Sequence, residues 1–311
     1  MHLRTPEVPF LDAGVSSDPS TVATPFAFLG IPYGPPYVPD DLTDAAGAAD
    51  AVRSLVRRLR YGADAHHYDF DLGGPLFADG VPTVTDCGDV VGDDADPDAI
   101  YERAVEVVQP LVERGVVPLA IGGLDAIPPM VAQPFEATGE RLNVLHVDAH
   151  IDFRDEVNGQ RRGYSSPIRR MREMPHIGAI VQVGLRSVGS GRPSDVRDAI
   201  EVGNVLVTAA EVHELGVGPV LDRVDAVDGR WFVTIDCDGL DPSIAPGVGW
   251  PEPGGLTFPQ IATIVRTLAH GSKVAALAFT EFQPGRDIAD TTALTITRLL
   301  LNAIGLQRPS A

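Results

Sequence analysis

Residues 142–152 read Leu-Asn-Val-Leu-His-Val-Asp-Ala-His-Ile-Asp, and the reading of this stretch decides the fold. Apolar residues dominate both faces up to Val147, the pattern of a strand covered on two sides rather than one. Three ionisable side chains then follow at every second position, Asp148, His150 and Asp152. The same grammar recurs. Val116–Gly122 leads into Asp125, Trp231–Asp236 runs into Asp238, and Lys273–Glu281 finishes on a carboxylate. Phe26–Pro32, Ala179–Arg186 and Asn204–Thr208 are further strand candidates. Helical spacing fills Ala46–Leu59, Pro97–Glu113, Pro193–Glu201, Val217–Val227, Phe258–His270 and Asp290–Ile304. Asp96 and Pro97 suit the cap and first position of the second of these. Strands alternating with helices predict an α/β fold around one buried, mostly parallel sheet.

The 311 residues contain no Ser- or Gly-rich linker and no fixed repeat, so one domain is expected over residues 26–311. A polar arm, 1–25, precedes it, broken by Pro6, Pro9, Pro19 and Pro25. A hydrophobic share of 44% excludes disordered and fibrous classes. The net charge of −19 argues against nucleic acid and anionic membrane as partners, and is compatible with a cationic substrate. Cys87 and Cys237 are too few for a disulfide scaffold, and no apolar run approaches a membrane span. A cytoplasmic protein is expected. Residues 61–92 form a long irregular stretch in which His66 and His67 either fold over the strand ends toward substrate or lie in a surface turn.

In open α/β sheets ligands gather beyond the carboxyl ends of the strands. There this sequence converges Asp125, Asp148, Asp152, Asp236, Asp238 and Glu281 with His150. So many carboxylates packed together cannot all stay ionised without a compensating charge. Divalent cations supply it, and oxygen ligands with an imidazole suit Mn²⁺. A pair of ions about 3.5–4 Å apart turns a shared water into hydroxide near neutral pH. Cys237, between two of the aspartates, should face the core as a free thiol.

Three segments resemble signatures of the arginase–agmatinase (ureohydrolase) family: HVDAHIDFRD at 146–155, TIDCDGLDPSIAPGVGWPEPGGLT at 234–257 and TEFQP at 280–284. Weaker echoes are FLGIPYGPP at 28–36, TDCGDV at 85–90 and VVPLAIGG at 116–123. The resemblance implies a single three-layer α/β/α domain with an eight-stranded parallel sheet. It also implies two Mn²⁺ per chain, hydrolysis of a guanidino group to an amine and urea, and a homo-oligomer, trimer or hexamer. Carried over by motif, Asp148, Asp152 and Asp236 match ligands of a first metal. Asp148, His150, Asp236 and Asp238 match ligands of a second, so Asp148 and Asp236 bridge. Asp152 also holds the bridging hydroxide in line, and Glu281 matches the acid that pairs with the guanidinium.

Two departures stand out. Where the family reads GGDHS or GGEHS, this chain has Gly122-Gly123-Leu124-Asp125-Ala126, with Asp125 in the place of a metal-binding histidine. Either Asp125 is a ligand of the first metal, or that site is weak or absent. Where the family carries an HGTPFRR-like run, this chain has Gly163-Tyr164-Ser165-Ser166-Pro167-Ile168-Arg169-Arg170. Tyr164 then takes the histidine's place as a hydrogen-bond donor near the leaving amine, or is a plain loop aromatic; a phenol is a poor proton shuttle at neutral pH. His146, two residues before Asp148, lies on the same side of its strand but deeper. A ureohydrolase acting on agmatine or a guanidino acid is the leading reading. The alternatives are a single-metal amidine or amide hydrolase in which Tyr164 polarises the substrate, and a catalytically degenerate binding protein. Nothing indicates an organic cofactor.

Overall fold

The computed structural model describes residues 2–34, 37, 44–62, 64, 66–77, 83–91, 97–188 and 191–307. Eight strands form the body of one sheet: β1 (Phe26–Ile31), β2 (Val84–Val90), β3 (Val117–Gly122), β4 (Leu142–Val147), β5 (Ile177–Leu185), β6 (Val205–Thr208), β7 (Arg230–Asp236) and β8 (Val274–Thr280). Their order is β2-β1-β3-β8-β7-β4-β5-β6, and every neighbouring pair is parallel. The arm adds two short pieces to the β2 edge: Leu3–Arg4 pairs antiparallel and Gly14–Val15 parallel.

Every residue of β1, β3, β4 and β8 is buried, as their unbroken apolar runs require. Alternate residues of β1 feed opposite faces: Phe26 and Phe28 join one hydrophobic cluster, Ala27 and Leu29 the other. The first cluster is closed by the helices Ala48–Arg58, Phe258–His270 and Thr291–Leu306, and the second by Pro97–Glu113 and Pro167–Arg172. Helices on both faces make the expected three layers. Cys237 is a fully buried free thiol in the first cluster.

The structure corrects one expectation about the chain's organisation. Residues 84–90, within the stretch read as irregular, form β2. Its sequence, Val-Thr-Asp-Cys-Gly-Asp-Val, lacks an apolar run because Asp86 and Asp89 point at a buried partner, Arg53. The helix Pro97–Glu113 begins at Pro97 as expected, while Asp96 lies outside the described residues.

Candidate metal centre

Four strands adjacent in the sheet, β3, β8, β7 and β4, end on or just before the acidic residues. Two of those residues hold an unusual backbone. Asp152 has φ 46° and Glu281 φ 60°, in the left-handed region that non-glycine residues avoid. Strain of this kind collects at functional sites, where surrounding contacts enforce it. The Glu281 amide donates to Gly123 O at 2.8 Å, and the Asp125 amide donates to Glu281 Oε1 at 2.8 Å, tying the ends of β3 and β8 together. Gly239 lies so close to Asp148 that a Cβ would stand 2.6 Å from its backbone, so only glycine lets the Asp236–Asp238 turn settle there.

Potential ligand atoms fall into two groups. In the first, Asp125, His146, Asp148 and Asp152 bring their atoms within 4.8 Å of one another. His146 Nε2 is 3.3 Å from Asp125 Oδ2 and 3.2 Å from Asp148 Oδ2. In the second, Asp148, His150 and Asp238 do the same, with His150 Nδ1 3.3 Å from both Asp148 Oδ1 and Asp238 Oδ2. Asp148 therefore turns one oxygen toward each group. Its Oδ2 is buried and accepts no hydrogen bond, a costly condition for a charged oxygen unless a cation meets it. Asp236 stands in neither group. It is buried, and its Oδ1 accepts from the Asp238 amide at 2.8 Å.

The charges cannot coexist unaided. Burial pushes the carboxyls of Asp152, Asp236 and Glu281 well above the usual range, and the charges of neighbouring acids, among them Asp148 and Asp125, raise them further. Burial and the charge of Asp148 lift Asp238 to about 6. Burial also favours neutral imidazoles, but Asp125 and Asp148 override it for His146, raised to about 10. Asp148 and Asp238 do the same for His150, raised to about 12. Among the described residues no lysine or arginine forms an ion pair with Asp125, Asp148, Asp236, Asp238 or Glu281. Arg186 approaches, yet it donates to the backbone carbonyls of Asp238 (2.6 Å), Gly239 (3.2 Å) and Glu252 (2.6 Å). An oxygen-rich pocket with two imidazoles fits hard-to-borderline divalent ions.

Tyr164 packs against Tyr37, ring centroids 4.3 Å apart and planes tilted by 45°. Burial raises the Tyr37 phenol, and the charge of Asp152 adds to the shift. His66 and His67 lie elsewhere. Their segment packs along the last helix, with Arg298 paired to Asp69 and Leu72 against Gly305. That helix ends where Gln307 reaches Val274, at the start of β8, so the loop sits toward the opposite end of the sheet and does not fold over the strand ends. Arg161 of the loop and Arg169 and Arg170 of the helix Pro167–Arg172 converge on Asp155. The residue that sequence reasoning left unassigned is His146. The signal was its two-residue offset from Asp148, which puts both side chains on one side of β4.

A profile of the arginase family matches residues 25–305. The chain belongs to the arginase family. Among its relatives, mitochondrial arginase of Medicago truncatula is 33% identical over 228 residues, 71% of this chain and 63% of that enzyme. N(1)-aminopropylagmatine ureohydrolase of Thermus thermophilus is 34% identical over 191 residues, 61% of this chain and 62% of that enzyme. The chain thus spans just under two thirds of the length of these two curated relatives. Among solved structures, the proclavaminate amidino hydrolase of Streptomyces clavuligerus superposes with a TM-score of 0.79 at 26% identity, covering 96% of each chain. The fold described above is thus that of the arginase family.

Proposed function

We propose that this arginase-family chain is a metal-dependent hydrolase that cleaves the guanidino group of a linear compound, of the agmatine or guanidino-acid class, to an amine and urea. The observation that supports it most is Asp148, whose two oxygens face two separate ligand groups, one of them otherwise unpartnered. On this reading Asp125, Asp148 and Asp152 would hold a first Mn²⁺ and Asp148, His150 and Asp238 a second, while Asp236, which stands in neither group, is assigned to both by the family motif alone. When bound, such a pair supplies a water-derived nucleophile near neutral pH. The names of the relatives, arginase, ureohydrolase and amidino hydrolase, point to the same chemical class of substrate.

The protein's own groups then divide the work. Glu281, partly exposed and anchored through Oε1 by the Asp125 amide, offers its carboxylate to the planar guanidinium, a pairing that favours two parallel hydrogen bonds. Asp152, held in a strained backbone, would keep the attacking nucleophile in line. Tyr164, packed against Tyr37, would donate a hydrogen bond near the departing amine. The family reading also carries a cytoplasmic homotrimer or hexamer. Among the described residues no helix is long and apolar enough to cross a membrane. A second reading, a single-metal amidine or amide hydrolase, is favoured by the aspartate at position 125 where the family has histidine. A screen of Mn²⁺-treated protein against guanidino compounds separates the two: urea from a linear guanidine supports the first, and turnover of amides or amidines with no urea supports the second.

A further inference from the structure

We infer that His146, a residue of strand β4 rather than of a loop, supplies the imidazole ligand of the first metal in this chain, compensating for the aspartate at position 125. The inference rests on the two-metal reading above and assigns the ligand set within it.

The two groups are built alike. His150 places one ring nitrogen 3.3 Å from an oxygen of Asp148 and 3.3 Å from an oxygen of Asp238. His146 places one ring nitrogen 3.2 Å from the other oxygen of Asp148 and 3.3 Å from an oxygen of Asp125. Two ligand atoms each about 2.1 Å from one ion, at roughly right angles, stand about 3.0–3.3 Å apart. Both imidazoles thus keep ligand–ligand spacing toward two carboxylates at once. The same His146 nitrogen hydrogen-bonds Asp125 Oδ2, but Asp148 Oδ2, closed off from water, finds no well-aligned hydrogen bond to it or to any other group. Thr280 donates to Asp125 Oδ1 at 2.6 Å, which fixes that carboxylate and leaves Oδ2 turned to the ring.

The far side of the ring makes a second demand. Gln182 on β5 puts its amide nitrogen 3.4 Å from His146 Nδ1 while donating to Ile151 O at 2.8 Å. A metal on Nε2 leaves the proton on Nδ1, where a carbonyl oxygen serves better than an amide nitrogen. Metal loading should therefore turn the Gln182 side chain, and Gln182→Glu, which offers an acceptor either way round, should tighten the first site.

The test uses the full-length, Mn²⁺-loaded protein and electron spin-echo spectroscopy, which counts imidazole nitrogens on the manganese, alongside elemental analysis. Two imidazole nitrogens per manganese pair are expected in the wild type, with one manganese and one nitrogen lost in His146→Gln. Asp125→His in the His146→Gln background should restore the missing equivalent. A wild type with two manganese ions but one imidazole overturns the assignment while leaving the two-metal reading intact, as does a His146→Gln protein that keeps both ions. A wild type with fewer than two ions overturns that reading, and the assignment with it. The wild-type nitrogen count needs no variant to fold.

Discussion

Two clusters of buried aspartates sit at the strands of this sheet, and they are neutralised in opposite ways. At the β2 edge, Asp86 and Asp89 meet Arg53, which is 1% exposed. Its guanidinium forks onto Asp86 at 2.8 and 2.9 Å and reaches Asp89 at 2.7 Å and Asp50 at 3.0 Å. Arg4 of the arm closes the cluster from outside, so the charges clamp the arm to the sheet. At the centre, Asp125, Asp148 and Asp238 pair with two imidazoles, and among the described residues no guanidinium forms an ion pair with them. The residue type is the same. What differs is whether the chain brings its own cation, and that difference separates a structural clamp from a site that calls for cations from solution.

The largest effect should come from the residue the two groups share. Asp148→Asn removes a charge from both, and manganese should fall below one equivalent per chain. Activity should drop by roughly 10³-fold or more, the scale of losing a preorganised electrostatic group. Metal analysis and urea release check this. The matching change at the edge is Arg53→Met. It strands two buried carboxylates and should cost about 3–5 kcal/mol of stability, read by denaturant unfolding. The Arg53→Met protein, where folded, should keep its full metal content. Metal loss there would join the two clusters that the comparison keeps apart.

The two clusters also bear on what the sequence reveals. β4 is legible because burial on both faces writes apolar residues at consecutive positions. The acidic strand ends are legible because residues needed at one rim fall close together in sequence, at 148–152 and 236–238. β2 is hidden because its buried aspartates take their partner from 33 and 36 residues away, a pairing no local pattern carries. The position of His66 and His67 is hidden for a similar reason: a contact with the last helix, between Asp69 and Arg298, decides where their loop lies. His146 was visible by its period-two offset, but only the cross-sheet approach to Asp125 gives it a role.

Proton linkage should sharpen the contrast by a smaller amount. In metal-stripped protein, His146 and His150 have raised pKa values, so their stabilisation is full below about 6.5 and fades as pH rises through about 10 and 12. Asp238, raised to about 6, is a carboxyl that the folded state keeps protonated above its unfolded value. Folding therefore weakens as pH rises through that range, the same sign. Metal binding needs these groups deprotonated, so the gain in Tm on adding Mn²⁺ should be larger at pH 8 than at pH 6 in thermal-shift measurements. A gain that shrinks with pH would contradict the linkage.

The smallest expected effect is at Tyr164. Tyr164→Phe keeps the ring contact with Tyr37 and removes only the hydroxyl. Loss of one hydrogen bond to a charged group predicts a fall in kcat of about tenfold to a hundredfold, with metal content unchanged. A change within about twofold would make Tyr164 a loop aromatic.

The most direct test of the central claim is the manganese content of the chain, measured by elemental analysis after purification without chelators and dialysis against Mn²⁺. Two equivalents per chain are predicted, falling toward zero in Asp148→Asn. A wild-type chain that retains no manganese would contradict the account, because the acids at the strand ends would then have to be neutralised by protons alone.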